Sequence, residues 1–367
     1  MLVLAASAAA TAVAAPPIER IKLPPGFAIE IYSDAVPDAR QLAVAPSGIV
    51  YAGTMQAGRV YALSGPGGTG PGREVHVIAE GLEMPTGIAY RDGALYVAEV
   101  SRILRYDGID AKLANPPRPV VVYDRLPSKR HHGWKYLGFG PDGKLYVPVG
   151  APCNVCEVED PFGTLGRMTP DGRDYEIVAR GIRNSVGFAW HPTTHELWFT
   201  DNGRDNLGDD VPSCELDRLT KPGQHFGFPY VHQGDLPDPN FGAGHDPKDY
   251  VPPVAKLGPH VAPLGLLFYT GEQFPAAYRG ALFVAEHGSW NRTHKIGYRV
   301  MVEHLDAEGR VEREEPFATG WLEGEEAWGR PVAFAQLPDG SILISDDGAG
   351  VIYRVHYTGA ASGFAGR

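Results

Sequence analysis

Six times along the chain, an apolar run rich in β-branched and aromatic residues is followed by a short turn and a second such run. The first copy reads Leu42-Ala43-Val44-Ala45, turns through Pro46-Ser47-Gly48, and continues Ile49-Val50-Tyr51-Ala52. Equivalent pairs lie at 87–90 with 94–97, 137–140 with 144–147, 186–190 with 196–199, 266–268 with 280–284, and 332–337 with 341–344. Apolar runs this short, bounded by Gly, Pro and Asp, read as strands joined by tight turns. A third strand follows each copy, as at Arg102-Ile103-Leu104-Arg105-Tyr106 and Val351-Ile352-Tyr353-Arg354-Val355. No long stretch carries a helical period, so helices are expected to be few.

Marked by Gly48, Gly93, Gly143, His195, Gly280 and Gly340, the copies recur at steps of roughly 45 to 85 residues. That brackets a four-stranded propeller blade once insertions at about 205–253 and 274–295 are allowed for. The expectation is an all-β fold: a six-bladed β-propeller with four-stranded antiparallel blades around a central channel, forming a single domain over residues 16–367. The last strands, through His356-Tyr357, are expected to share a blade with Phe27-Ala28-Ile29-Glu30-Ile31-Tyr32, which closes the ring and removes an unpaired edge. Two successive β-sandwiches are the rival arrangement. They call for a linker near the middle, and no Ser- or Pro-rich linker stands out there.

Composition sharpens this picture. The 367 residues include 46 Gly and 33 Pro, yet 43% are hydrophobic, which means many turns around a filled core. The formal charge of −11 argues against a nucleic-acid partner, because phosphate binding needs a cationic face. Residues 2–15 are small and apolar and end in Ala12-Val13-Ala14, the small-residue pattern of a cleaved export signal, although no Lys or Arg precedes them. A signal peptide over 1–15 and a periplasmic or secreted protein are therefore expected. No stretch reaches transmembrane length. Cys153, Cys156 and Cys214 allow one disulfide and one leftover thiol. Glu157 follows Cys156, so the haem-attachment pattern is absent, and no nearby Cys or His completes a zinc set.

In a propeller the innermost strand of each blade runs beside the channel, so residues just before it sit at one mouth. Aligning the copies by their turns puts Arg40, Thr86, His132, Arg183, Pro263 and Arg330 at equivalent positions. The argument rests on His132, Arg183 and Arg330: converging cations repel unless an anion sits among them. A guanidinium fork suits a planar polycarboxylate. The loop Asp201-Asn202-Gly203-Arg204-Asp205-Asn206-Leu207-Gly208-Asp209-Asp210, with Glu215 soon after, has the oxygen density of a calcium site but not the EF-hand spacing.

Together these segments resemble the soluble PQQ-dependent sugar dehydrogenases, the glucose/sorbosone dehydrogenase family, and most closely its L-sorbosone dehydrogenase-like branch. The most specific stretches are Gly181-Ile182-Arg183-Asn184-Ser185-Val186-Gly187, Leu197-Trp198-Phe199-Thr200-Asp201-Asn202-Gly203-Arg204-Asp205, Ala285-Glu286-His287-Gly288-Ser289-Trp290-Asn291-Arg292 and Trp328-Gly329-Arg330-Pro331. The resemblance implies a six-bladed propeller holding pyrroloquinoline quinone (PQQ) and Ca²⁺. It also implies oxidation of a sugar or sugar-derived aldehyde or alcohol by hydride transfer to PQQ, with electrons passed to an external acceptor. Carried over residue by residue, it makes His132 the general base and His131 a substrate contact. Arg183, Asn184, Asn202 and Arg330 fall at the cofactor, and the backbone carbonyls of Gly203 and Arg204 on calcium. Arg292 takes the place of a lysine near the quinone. Trp328 departs from the glucose enzymes, which carry a second arginine there. Two other classes compete. A calcium-dependent six-bladed lactonase calls for carboxylates and amides at the channel mouth, and a non-enzymatic binding propeller has no need of His132.

Overall fold

Alternation with a period of two builds this molecule, because successive side chains of a strand serve two different interfaces. In the strand Ile342–Asp346, Ile342 and Ile344 pack into one inter-blade core while Leu343 packs into the next. The strand Val50–Thr54 does the same, with Val50 and Ala52 on one side and Tyr51 on the other. Repeated around a ring, this gives six apolar clusters, each wedged between neighbouring blades.

The computed structural model describes residues 15–65 and 73–359, and these form the expected six-bladed propeller. Blade 1 comprises Ala39–Val44, Val50–Thr54, Val60–Ser64 and Glu74–Ala79, paired antiparallel in chain order. Blades 2 to 5 start on the innermost strands Gly87–Arg91, Gly138–Phe139, Phe188–Trp190 and Pro263–Phe268. Blade 6 contains Pro331–Gln336, Ile342–Asp346 and Val351–Tyr357, and takes its outer strand, Phe27–Ser33, from the other end of the chain. The register runs from Phe27 opposite Tyr357 to Ser33 opposite Ile352. Ring closure therefore follows the sequence expectation. The helical segments among the described residues are four single turns of 3₁₀ type.

The insertions are less simple than the sequence suggests. Within 205–253 lies the third strand of blade 4, Ser213–Leu219, followed by a two-residue strand, Gln224–His225, that joins blade 3 as a fifth, parallel member. A hairpin of Val231–His232 and Leu236–Pro237 completes that excursion. The stretch 274–295 encloses the strand Leu282–Glu286, and the loop that follows it reaches the channel mouth.

Innermost strands crowd the axis. Gly187 is required there, because a Cβ on it would lie 2.0 Å from Leu264 O on the next blade. Val186, Leu264, Val332 and Ala333, with Trp134 against them, form a seventh apolar cluster across the channel. Trp134 and Leu264 also line the cavity above, so this plug is its floor.

Candidate active site

Above the plug, the chain segments leading into the innermost strands enclose a cavity of about 420 Å³, within the size range of small-molecule sites. Of the six aligned positions, Arg40, His132, Arg183 and Arg330 line it. Thr86 and Pro263 serve the scaffold instead: Thr86 Oγ1 donates to Lys135 O, and Pro263 O accepts from Asn202 Nδ2.

His132 is buried at φ +49°, a left-handed conformation uncommon for histidine. Gly150 leaves it room, since a Cβ on Gly150 would sit 2.6 Å from His132 Cβ. Its Nδ1 lies 2.9 Å from Ala151 O, and a carbonyl can only accept, so Nδ1 carries the proton and Nε2 keeps its lone pair. Burial pulls the His132 pKa down to about 2, with the charges of Arg183 and His131 adding to the effect against the Ala151 bond. The imidazole is neutral at physiological pH. His131 is exposed at the rim, its ring centroid 4.1 Å from that of His132.

Arg183 and Asn184 are aimed by their own backbone. The Asp201 carboxylate, at the end of the second strand of blade 4, accepts from Arg183 N (2.7 Å) and Asn184 N (2.6 Å). The Arg183 guanidinium then donates to Asn154 O, Asn154 Oδ1, Asn202 O and Asp205 Oδ2. Asn202 Nδ2 ties blade 4 to blade 5 through Asn184 O and Pro263 O. Arg330 is placed in the same manner, its N–H on Asp346 Oδ1. Its guanidinium donates to His287 O (3.2 Å) and Gly288 O (3.0 Å) and has no carboxylate partner among the described residues.

The sequence aligned Arg40 with the mouth, but neither its partners nor Trp290 was weighed there. Arg40 donates to Asp347 Oδ2 at 2.7 Å, and the neutral His287 donates from Nε2 to Asp347 Oδ1 at 2.7 Å, so one carboxylate joins blades 1, 5 and 6. Burial pulls the His287 pKa down to about 4, against the opposing pull of Asp347. Trp290, 74% exposed, lines the mouth. A signal for these residues exists in the repeat. Met55, Asn202, His287 and Asp347 each directly follow the second strand of their blade, and all four line the cavity. Histidines aside, three guanidiniums face two carboxylates, Asp205 and Asp347, so the lining carries an excess positive charge on an acidic protein.

Not every expected residue converges. Arg292 does not line the cavity: its guanidinium is held outside by the Asp209 carbonyl and the Asp210 carboxylate. Gly203 lines the cavity and Arg204 does not; the Arg204 side chain is held by the buried Asp238, which does not bear on its backbone carbonyl, the group expected on calcium. No group of three or more His, Cys, Asp or Glu suited to a metal occurs among the described residues. Trp328 is also outside, its Nε1 donating to Gly320 O.

Comparison with known proteins agrees with this architecture. The profile of the family described as Glucose / Sorbosone dehydrogenase matches residues 105–354. An uncharacterized protein of Borreliella burgdorferi is 33% identical over 352 residues, covering 92% of this chain and 91% of that protein. Among solved structures, the holo form of the pyranose dehydrogenase PQQ domain from Coprinopsis cinerea has a TM-score of 0.77 at 16% identity, over 92% of this chain and 97% of that one. The PQQ-bound aldose sugar dehydrogenase from Streptomyces coelicolor has a TM-score of 0.66 at 20% identity, over 91% and 99%. At such identities these two structures speak to the fold alone.

Proposed function

The chain belongs to the glucose/sorbosone dehydrogenase family, and from that premise we propose that it is a quinoprotein that takes PQQ into this cavity. There it oxidises a sugar, or a sugar-derived aldehyde or alcohol, by hydride transfer to PQQ. One observation carries the reading: a single cavity of ligand size pairs a guanidinium without a counter-carboxylate, Arg330, with a neutral imidazole whose Nε2 is free, His132. Proteins of the same fold include one solved as the holo form of a PQQ domain and one solved with PQQ bound, which agrees with the cofactor proposed here.

The donor set fits a flat tricarboxylate. Arg330, Arg183 and the Asn184 amide would hold it, beside Asn202, whose Nδ2 is engaged by Asn184 O and Pro263 O, and Trp134 and Leu264 supply an apolar floor. When bound, PQQ supplies the quinone carbon that accepts the hydride. The protein's own part is proton handling and electrostatics. His132 Nε2 takes the substrate hydroxyl proton while Ala151 O fixes the tautomer through Nδ1. Arg183, close enough to lower the His132 pKa, favours the oxyanion left behind. His131, at the rim, would contact the substrate. For calcium, the carbonyls of Gly203 and Arg204 would be the protein's ligands. These are neutral donors without a carboxylate cluster, so a chelator is expected to remove the ion readily.

The expected export signal lies outside the described residues. Periplasmic or secreted location remains our reading, supported by a Cys153–Cys156 disulfide of the kind kept in oxidising compartments. No helix among the described residues is long and apolar enough to cross a membrane. An external acceptor would take the electrons. The test is dye reduction by apoprotein supplied with PQQ and Ca²⁺, across aldoses, ketoses and sorbosone, beside a His132→Ala variant. Turnover that needs both additions and disappears in the variant is expected. Absence of any PQQ binding would sink the reading.

A further inference from the structure

The loop after the second strand of blade 3 carries a device that proton transfer itself does not use. Cys153 and Cys156 form a disulfide, and the ring it closes contains Asn154. Asn154 makes four hydrogen bonds to the two charged residues that meet at this edge of the cavity. Its carbonyl accepts from Arg183 Nε (2.8 Å), and its Oδ1 accepts from Arg183 Nη2 (2.9 Å) and from Asp205 N (2.8 Å). Its Nδ2 donates to Asp205 O (3.1 Å). Two of the four bonds holding the Arg183 guanidinium therefore come from this residue, the others going to Asn202 O and Asp205 Oδ2. Just upstream, Ala151 N donates to Arg183 O while Ala151 O holds His132.

We propose that Asn154 is the positioning residue of Arg183, and that the Cys153–Cys156 disulfide is a redox-sensitive clamp that keeps it in place. The segment 150–163 belongs to no strand, so Asn154 has no sheet ladder to hold it. The covalent ring does that work instead, by restricting a loop that would otherwise sample many conformations. Both cysteines are partly exposed, so a dithiol can reach them. Two electrons and two protons pass from the dithiol to the sulfurs of Cys153 and Cys156. The Cys153–Cys156 bond breaks, two thiols form, and the reductant's own sulfurs become a disulfide. Asn154 is then released, Arg183 is left with Asp205 and one carbonyl, and the ligand cavity loses a fixed guanidinium.

The consequence for the ligand rests on the cofactor reading above, whereas the clamp itself does not. Amide hydrogen exchange at Asp205, whose N–H is bonded to Asn154 Oδ1, reads the clamp directly in apoprotein. Exchange is expected to quicken about tenfold or more when the protein is reduced with dithiothreitol, in Asn154→Ala, and in the double variant Cys153→Ser with Cys156→Ser. Asn154→Asp, which keeps the acceptor oxygens, should retain slow exchange. PQQ binding, followed by quenching of tryptophan fluorescence after dithiothreitol has been removed so that it does not reduce the quinone, should weaken about tenfold in the pre-reduced wild type and be the same with or without pre-reduction in the double variant. Unchanged exchange at Asp205 after reduction overturns the clamp, and unchanged exchange in Asn154→Ala overturns the positioning role. Faster exchange in a protein that binds PQQ in neither redox form upholds the clamp and overturns the cofactor reading.

Discussion

To serve as the base proposed above, His132 has to be unprotonated when substrate arrives, and it is kept so by where it sits. Burial, then Arg183, then His131 pull its pKa from 6.5 to about 2. The sign of the effect on stability follows. The unfolded chain takes up this proton near pH 6.5 while the native state does not, so the stability His132 contributes is complete above pH 6.5 and is lost as pH falls toward 2. Activity should accordingly show no acid limb near pH 6.5, and Arg183→Gln, which removes one of the depressing charges, should move the limb upward. The kcat/KM profile of the two proteins checks this, and a wild-type limb at 6.5 would count against His132 as the base. The neighbouring glycine makes a second prediction. Gly150→Ala places a methyl 2.6 Å from His132 Cβ, and a displacement of the base on the order of 1 Å should lower kcat about 100-fold while PQQ affinity stays within about threefold. That His132 lines the cavity was legible because a repeat aligns it with the channel. Its tautomer was not, because that depends on Ala151 O, a backbone atom any residue could have offered. Arg292 lies outside the lining for the opposite reason: a long cation goes to the nearest acceptors, here on the 209–210 loop, and standing in for a lysine of the family does not bind it to the cavity.

At the scale of elements, the site is made by the ends of second strands as much as by the starts of first ones. Asp201 and Asp346 each close a second strand, and each accepts the backbone N–H of the arginine that enters the first strand of the same blade. Asp201→Ala would leave Arg183 N and Asn184 N buried without an acceptor, at a cost of about 2 kcal/mol or more, and the lost aim of both side chains should weaken PQQ binding beyond what the loss of stability explains. Denaturant unfolding and fluorescence titration of the same variant separate the two effects. Reading the repeat one strand further would have been enough to find His287 and Asp347, since they occupy the same place as Asn202. What it could not give is the bridge from Arg40 through Asp347 to His287, because the three lie far apart in the chain and meet only once the ring is closed. The parallel fifth strand of blade 3 was also beyond reach: two residues, Gln224–His225, carry no pattern.

At the scale of the whole molecule, the ring depends on one strand crossing from the start of the described chain to its end. Phe27 opens that strand, and its ring sits edge-on to Phe274, Phe317, Tyr278 and Tyr357 at centroid distances of 4.7 to 5.2 Å. Glu30 adds a bridge to Arg354 at 2.8 Å. Six blades were legible because each must bury two faces and so repeats its apolar pattern, and closure was legible because an unpaired final edge would be a pairing hazard. The cavity shares in that closure, since blade 6 supplies Arg330 and Asp347 and holds them against blades 1 and 5. Phe27 itself is remote from the lining. Phe27→Ala should therefore cost about 3–5 kcal/mol through lost packing and lower Tm by roughly 5 °C, while kcat/KM at 25 °C stays within about twofold. Calorimetry and turnover on one preparation test this. If activity fell while Tm held, closure would be acting on the site rather than on the ring, and the closing strand would belong to the catalytic apparatus; a lower Tm with intact turnover leaves it as the seam that keeps six independent interfaces in one fold.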